Sequence, residues 1–247
     1  MQAHAIVFQS PQHLSVRGLD LPAPGVGEAE VEVEFSGIST GTERLLWDGS
    51  MPAFPGLGYP LVPGYETVAR VSQATAGFSE GDLVFVPGAN CYKDVKGLFG
   101  GAAKRIVLPA SRAVKLDGIT DEEGILIALA ATAHHAVAHA LPQLIVGHGL
   151  LGRLIARVTL ALGGEAPTVI ETQAARHDGA AGYTVVTPEQ DTRRDYATIC
   201  DASGAAGLLD LVRAWPVCGQ QADLTQNLRQ RGRGDLALHR RAAFYRR

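Results

Sequence analysis

The sequence predicts an α/β protein in which a β-rich N-terminal part precedes a doubly wound α/β part. Three observations support this fold class. Over roughly the first 110 residues, short segments of alternating apolar and polar residues are separated by glycine and proline. Near the middle of the chain, an apolar run, a glycine-rich turn, a helical pattern and a second apolar run follow one another. Helical and strand patterns continue to alternate beyond it, as in open parallel sheets.

The strands of the N-terminal part are predicted from period-2 alternation. Valine and phenylalanine alternate with glutamate over residues 30–35, which predicts a strand with one buried and one exposed face. Further strands are predicted at residues 68–71, 83–86 and 106–108. Residues 51–64 are rich in proline and glycine and predict a long exposed loop, a kind of segment that often carries function.

A helix is predicted to separate the two parts. Thr120 and Glu123 have the spacing of a capping box, and an alanine-rich helical pattern follows as far as about Leu141. We therefore expect a first domain at residues 1–119 and a second that begins at residue 120.

The central segment has the pattern of a dinucleotide-binding unit. The apolar run Leu144–Val146 predicts a buried parallel strand, and Gly147, Gly149 and Gly152 follow in the spacing G-x-G-x-x-G. The first glycine permits a tight turn, the second lets the backbone approach a pyrophosphate, and the third lets the following helix pack closely. The N-terminus of that helix would face the phosphates.

The segment closes with a second apolar run, Thr168–Ile170, and an acid, Glu171. A carboxylate here accepts hydrogen bonds from the adenosine ribose and repels a 2′-phosphate, and no arginine follows before Arg176. NAD is therefore the predicted cofactor, rather than NADP. A structural glycine turn is the alternative, and it does not explain why strand, turn, helix, second strand and acid all occur at the expected spacing.

Two more strands are predicted after Glu171, at residues 183–186 and 196–201. The second ends in Asp201, Ala202 and Ser203, and doubly wound sheets bind ligands at the carboxyl ends of their strands, so this end is expected near the nicotinamide. The predicted cofactor-binding residues are Gly147, His148, Gly149, Leu150, Leu151, Gly152, Glu171, Asp201, Ala202 and Ser203.

Composition indicates an ordinary globular protein, with 46% hydrophobic and 19% charged residues and a formal net charge of -3. The N-terminus lacks the pattern of a signal peptide, and no apolar run reaches membrane-spanning length. Cys91, Cys200 and Cys218 are scattered and odd in number, which indicates a reducing compartment, and a cytoplasmic location is expected.

Residues 219–247 differ from the rest, with seven arginines, two aspartates, no lysine and no strand-like alternation. A basic tail can bind nucleic acid or an anionic membrane surface. We interpret it instead as a GC-rich gene read in the wrong frame. Residues 120–213 would then be an incomplete nucleotide-binding domain, and residues 214–247 an atypical tail. No nucleic-acid partner is expected, and peripheral membrane association stays open.

Several segments together resemble the medium-chain dehydrogenase/reductase superfamily, the relatives of alcohol dehydrogenase. They are residues 36–43, 62–66, 81–84 and 100–103 with the glycine turn, and the resemblance covers about residues 2–211. It implies a GroES-like β-rich catalytic domain followed by a Rossmann domain that is truncated at its C-terminal end.

The same resemblance implies that the chain is zinc-free. Zinc-dependent members carry cysteine at the position of Ser39, histidine at that of Tyr65, and often a second cysteine near Ala130. Serine and tyrosine do not make a tetrahedral zinc site, and Glu66 alone is a poor one. Only Cys91 lies where the structural-zinc lobe would carry four cysteines.

Within the superfamily, residues 41–47, 51–60, 85–91 and 97–103 resemble a branch of bacteriochlorophyll biosynthesis. This resemblance implies a bacteriochlorophyllide precursor as substrate, a chlorin whose hydroxyethyl side chain is oxidised to an acetyl group while NAD accepts the hydride. Trp47, Phe54 and Tyr59 would stack on the flat macrocycle, or would only pack the loop that contains them.

Alcohol oxidation without a metal needs a proton acceptor and stabilisation of the developing alkoxide. At the zinc-ligand positions, Tyr65 and Ser39 would both line the substrate pocket, and Tyr65 would accept the proton. Glu66 would orient Tyr65 or relay the proton, and His134, with His135, would extend the relay. In the alternative, these residues only fill space or make ordinary hydrogen bonds.

Two other functions stay open from the sequence. One is a zinc-free NAD(P)-dependent reductase of quinones or enones from the same superfamily. The other is a non-enzymatic nucleotide-binding protein with a basic arm.

Overall fold

The structure, a computed structural model, describes residues 1–75 and 77–204 and the backbone of residues 243–246. The chain divides into two units, Met1–Ala128 and Leu129–Arg247. The point near residue 212 at which the sequence resemblance ends, and most of the arginine-rich segment, lie outside the described residues. Among the described residues, no helix is both long enough and apolar enough to cross a bilayer.

The first unit consists mainly of two β-sheets. Its elements are β1 (Gln2–Ser10), β2 (His13–Asp20), β3 (Glu28–Ser36), α1 (Thr42–Asp48), β4 (Leu61–Val62), β5 (Thr67–Val71), β6 (Leu83–Val86), β7 (Lys96–Gly97), β8 (Arg105–Pro109) and β9 (Val114–Lys115). One sheet has the strand order β2-β1-β4-β7 and the other the order β8-β3-β5-β6-β9. The four strands predicted for this part are confirmed as β3, β5, β6 and β8.

Strand β3 shows how alternation builds the core of this unit. Ala29, Val31 and Val33 are buried in a cluster that also contains apolar residues of β1, β5, β6 and β8. The glutamates between them stay at the surface, where Glu30 and Glu32 pair with Arg105 at 3.1 and 2.7 Å. One face is therefore apolar and the other ion-paired, as the period-2 pattern predicts.

Residues 120–128 belong to the first unit, so the two units divide nine residues after the boundary predicted from the sequence. Residues Glu122–Leu126 form a 3-10 helix, and the α-helix begins only afterwards, as α2 (Ile127–Val137). Asp121, and not the predicted Thr120, is the N-cap residue of the 3-10 helix, and its side chain makes no capping hydrogen bond. Ile125 and Ala128 pack against Val68 and Phe85, so burial of their apolar side chains holds this turn on the β-sheet.

The second unit contains a Rossmann-type sheet. After α2 come β10 (Leu144–Val146), α3 (Leu150–Ala161), β11 (Thr168–Ile170), a 3-10 helix (Ala174–Arg176), β12 (Thr184–Val186), β13 (Thr198–Asp201) and β14 (Ala243–Arg246). The order is β12-β11-β10-β13-β14, and the first four strands are parallel. The four strands predicted from the sequence are confirmed. The strand order reverses between β10 and β13, which is where such sheets bind ligands.

Both faces of this sheet are buried. Ile145, Val169 and Cys200 pack in a cluster with Ile155 of α3 and Ala133 of α2. The neighbouring positions along the same strands lie in a second cluster, which contains Leu144, Val146, Ile170 and Ile199. Burial on both faces explains why these strands are continuous apolar runs in the sequence.

Strand β14 is not predicted by the sequence. Ala243–Arg246 pairs antiparallel with β13, with Asp201 opposite Ala243 and Thr198 opposite Arg246. Four residues of the arginine-rich segment therefore form a strand although the segment has no strand-like alternation. The free N–H and C=O groups of an edge strand are satisfied by any backbone that reaches them, so this pairing needs no alternation in the added strand.

A matched pair of glycines tests the packing of the segment that precedes β8. Gly100 and Gly118 both have positive φ, at 88° and 74°, but a Cβ would lie 1.7 Å from Ala89 O at Gly100 and would meet nothing within 4 Å at Gly118. We expect Gly118→Ala to lower the free energy of unfolding by about 1–2 kcal/mol. We expect Gly100→Ala to cost about 1–3 kcal/mol more. Urea unfolding measures both variants, and equal losses would contradict the close approach at Gly100.

Candidate functional sites

The turn after β10 allows two backbone segments to approach closely. Gly147 has φ +98°, and a Cβ on it would lie 2.8 Å from Ser203 Cα. A Cβ on Gly152 would lie 1.9 Å from Gly147 O. At Gly149, by contrast, a Cβ would meet nothing within 4 Å. Two glycines therefore pack the turn, and the third leaves open space beside it.

This open space lies at the N-terminus of α3. Gly149 is the N-cap residue and no side chain caps the helix, so the first N–H groups of α3 lack a side-chain acceptor. Leu150 is half exposed, whereas Leu151 packs against the core. Such an end can bind an anion through backbone N–H groups and the helix dipole. The geometry fits the pyrophosphate of a dinucleotide.

Glu171 is a buried carboxylate at the carboxyl end of β11. Its Oε2 accepts a hydrogen bond from the His148 N–H at 3.0 Å, and its Oε1 accepts one from the Gln173 N–H at 2.8 Å. Burial alone would raise the pKa of Glu171, but these two hydrogen bonds and the charge of Arg176 outweigh it, so the pKa lies below the usual value. The carboxylate is therefore ionised and can accept further hydrogen bonds at the glycine turn.

The segment after β13 completes this edge of the sheet. The Ala202 N–H donates to Val146 O at 2.8 Å, which continues the pairing with β10. Asp201 Oδ1 accepts hydrogen bonds from the Ser203 N–H and Oγ at 2.9 and 2.7 Å. All ten residues predicted to bind the cofactor thus lie in one unit, at or directly after the carboxyl ends of β10, β11 and β13.

His148 differs from the other residues of the glycine turn. Its side chain is fully buried, and the imidazole nitrogens contact Arg176 O at 2.5 Å and Tyr183 Oη at 2.7 Å. The backbone N–H and C=O groups of His148 make their hydrogen bonds at the glycine turn, whereas its imidazole points away from the turn to Arg176 and Tyr183.

The first unit contains a separate cavity of about 570 Å³. Ser39, Glu43 and Arg44 contribute polar groups to its wall, and most of the remaining wall is apolar. Ile38 is 77% exposed and Val16 67% exposed, so the apolar surface continues out of the cavity. The apolar residues in the wall include Ile6, Phe8, Leu14, Val16, Ile38 and Trp47.

Polar side chains cluster beside this cavity, at the start of α1 and before β5. Ser39, Glu43 and Glu66 are buried, and Tyr65 is half-buried. The Tyr65 hydroxyl lies 3.4 Å from Thr42 Oγ1, and the Thr42 N–H donates to Ser39 Oγ at 3.4 Å. Thr42 thus links Ser39 to Tyr65. Of these two residues, Ser39 lines the cavity and Tyr65 does not. That both line the substrate pocket stays a prediction.

The Glu66 carboxylate lies against the backbone of Gly37, where a Cβ would come within 2.6 Å of Glu66 Oε2. The Gly37 N–H also donates to Glu66 O at 2.7 Å. Glu66, which follows Tyr65 in the chain, therefore lies beside the end of β3. Its proposed role in orienting Tyr65 stays a prediction.

The donor set of this cluster does not fit zinc. Hydroxyl groups occupy positions 39 and 65, where zinc needs thiolate or imidazole ligands in a tetrahedral array. Within the described ranges there is also no group of three or more histidine, cysteine, aspartate or glutamate side chains that could hold a metal ion.

The remaining predicted residues lie elsewhere. His134 lies on the exposed surface of α2 in the second unit, and its relay role stays a prediction. Tyr59 packs with Leu46 and Trp47 in a small core, and its hydroxyl donates to Leu46 O. For Tyr59 this favours the interpretation that it packs its own loop. Trp47 lines the cavity as well, and Phe54 is half-buried.

Sequence reasoning missed two groups of residues. Glu43 is buried in the cavity wall four residues after Ser39, a spacing that places both on one side of a helical turn. Arg153, Arg176 and Tyr183 surround His148. No local pattern links these positions, because they lie in α3, in the 3-10 helix after β11 and directly before β12.

Comparison with known proteins agrees with both units. Residues 25–118 match the family described as "Alcohol dehydrogenase GroES-like domain". A 2R,3R-butanediol dehydrogenase from Bacillus subtilis has the same fold, with a TM-score of 0.71, 18% identity, and coverage of 91% of this chain and 80% of that one. A short chain alcohol dehydrogenase from Escherichia coli CFT073, solved with NADH, has a TM-score of 0.70 and 20% identity, and covers 89% and 77%. The fold is that of the medium-chain dehydrogenases.

Two curated relatives are much closer. The 2-desacetyl-2-hydroxyethyl bacteriochlorophyllide A dehydrogenase of Rhodobacter capsulatus is 56% identical over 216 residues, which are 85% of this chain and 69% of that protein. The protein of the same name from Cereibacter sphaeroides is 52% identical over 220 residues, with the same coverage. The chain belongs to the family that contains these two dehydrogenases, and the resemblance inferred from its sequence is confirmed.

Proposed function

We propose that the protein oxidises the hydroxyethyl side chain of a bacteriochlorophyllide precursor to an acetyl group, with a nicotinamide cofactor as hydride acceptor. The observation that carries this proposal is the identity of 52–56% to two relatives named for that activity, over 85% of the chain. The apolar cavity of the first unit supports it, because a chlorin is large, flat and mostly apolar and needs such a surface.

The reaction breaks the C–H and O–H bonds of the carbinol and forms a C=O bond. When bound, the nicotinamide supplies the hydride acceptor. The residues of this chain then have to hold the macrocycle, remove the hydroxyl proton and stabilise the developing negative charge on oxygen. We propose that the cavity wall holds the macrocycle, that Ser39 donates to the oxygen, and that Tyr65 in its ionised form takes the proton.

We propose NAD as the specific cofactor. An ionised Glu171 at the glycine turn would accept hydrogen bonds from the ribose hydroxyls and would repel the 2′-phosphate of NADP. A cytoplasmic location, from the scattered cysteines, and a peripheral contact with membranes are further proposals.

Product analysis tests the function. The protein is incubated with the 3-hydroxyethyl bacteriochlorophyllide and NAD, and we expect equal amounts of NADH and an acetyl product that has lost two hydrogen atoms, by absorbance and mass spectrometry. If the chlorin is unchanged while a quinone or enone is reduced by NAD(P)H, the reductase alternative is correct. Salt-dependent binding of nucleic acid without turnover of either substrate would favour the non-enzymatic alternative.

Glu171→Gln tests the choice of cofactor, since the amide keeps an acceptor for the His148 N–H but removes the charge. We expect the unmodified protein to bind NADH at least roughly tenfold more tightly than NADPH, because juxtaposed like charges cost several kcal/mol. In Glu171→Gln, the ratio of the Kd for NADPH to the Kd for NADH should be smaller than in the unmodified protein. Glu165→Gln, an exposed carboxylate of the same unit, is the matched control and should leave the ratio unchanged. Tighter binding of NADPH by the unmodified protein would contradict the proposal.

Tyr65→Phe tests the proton acceptor. We expect kcat to fall roughly 10²- to 10⁴-fold, with a much smaller change in KM, because the ring remains in place while the hydroxyl is lost. Ser39→Ala removes a hydroxyl from the cavity wall and is expected to lower kcat less. If Tyr65→Phe keeps full turnover and Glu43→Gln abolishes it, the carboxylate of Glu43 is the acceptor.

A further inference from the structure

We infer that His148 is a positioning residue of the cofactor site, whose buried imidazole locks the glycine turn to the loop that follows Glu171. The inference rests on the proposed nicotinamide cofactor, and it assigns a role to a side chain that would not touch that cofactor. Three partners carry it: Arg176, Tyr183 and Arg153.

The tautomer of His148 follows from its partners. A backbone carbonyl can only accept, so Nδ1 carries the hydrogen and donates to Arg176 O. Nε2 is then unprotonated and accepts from the Tyr183 hydroxyl at 2.7 Å. Burial lowers the pKa of His148, in agreement with a neutral ring. Both ring nitrogens are satisfied, and the Tyr183 ring packs edge-on against the imidazole at 5.5 Å.

Arg153 of α3 also links the glycine turn to the loop, because it donates hydrogen bonds to both His148 and Arg176. Its Nε donates to His148 O at 3.1 Å, and its Nη2 donates to Arg176 O at 2.9 Å. The Arg176 carbonyl thus receives two donors, one from the glycine turn and one from the first turn of α3. His148, Arg153 and Arg176 form a closed set of hydrogen bonds between the turn, the helix and the loop.

The same residues define the geometry of Glu171. The His148 N–H donates to Glu171 Oε2, while the Gln173 N–H of the loop donates to Oε1. Arg176 Nη1 lies 4.0 Å from Glu171 Oε2. The carboxylate therefore spans the turn and the loop, and a shift of one relative to the other would misplace it. Loss of the imidazole contacts should weaken cofactor binding and leave chlorin binding intact.

Titration of the complete chain with NADH, followed by nicotinamide fluorescence, measures the effect directly. Three variants are compared. Tyr183→Phe removes one hydrogen bond of the imidazole, Arg153→Gln removes the two hydrogen bonds of the guanidinium, and His148→Leu removes both imidazole contacts. We expect the Kd for NADH to rise about three- to tenfold in Tyr183→Phe, the effect of one lost hydrogen bond, and more in Arg153→Gln and His148→Leu, which each lose two. His148→Asn, which retains one short donor, should recover part of the loss.

Arg157→Gln is the matched control. Arg157 lies one turn further along α3 and donates to Gly179 O at 3.4 Å, so it reaches the following segment without contacting His148 or Arg176. We expect its Kd for NADH to be unchanged. Steady-state kinetics should show a higher KM for NAD in the three network variants, with kcat and the KM for the chlorin unchanged.

An unchanged Kd in Tyr183→Phe and Arg153→Gln, with only a lower Tm, would overturn the inference and leave the network a purely structural one. An equal rise in Arg157→Gln would also overturn it. If the unmodified protein binds no NADH, the cofactor proposal fails, and the inference fails with it. If it binds NADH but does not oxidise the chlorin, only the proposed substrate is wrong.

Discussion

The close approach of two backbone turns at the edge of the parallel sheet is the constraint on which the second unit depends. Strand β10 lies between β11 and β13, so the turns after β10 and β13 meet directly. A side chain at position 147 would enter the backbone of Ser203, and one at position 152 would enter the turn itself. Glycine is therefore required at both positions. With glycine there, the start of α3 lies against the strand ends, and no side chain caps its first N–H groups.

The rest of this edge follows from the pairing of buried polar groups. Once the turn is packed, the His148 N–H needs an acceptor, and the Glu171 carboxylate needs donors to compensate for its burial. Each satisfies the other, and the loop after β11 supplies the second donor through Gln173. The same need extends to the His148 imidazole, which finds partners on Arg176 and Tyr183. The proposed dinucleotide site therefore lies where the sheet edge satisfies its own polar groups.

In the first unit, side chains that carry oxygen atoms lie beside an apolar cavity. Glu43 lies in the first turn of α1, and Ser39 lies three residues before that helix. Glu66 precedes β5 and lies against Gly37. A bound metal can stabilise an alkoxide as a Lewis acid. Hydroxyl groups at positions 39 and 65 instead offer hydrogen bonding and proton transfer, and the apolar surroundings strengthen both. The proposed oxidation uses these groups.

The sequence by itself determined the strands with clear periodicity, the glycine turn and the order of elements around it. Alternation in β3 and apolar runs in β10 and β11 depend only on neighbouring residues and on which faces are buried. The β1–β2 hairpin was not predicted. Leu14 and Val16 alternate with polar residues in β2, but both are exposed, so this strand does not follow the rule of apolar-in and polar-out. Tertiary structure alone decided that residues 120–128 pack on the first unit, that Ala243–Arg246 pairs with β13, and that the His148 imidazole is enclosed by Arg176 and Tyr183. These outcomes depend on contacts between residues far apart in the chain, which local patterns do not encode.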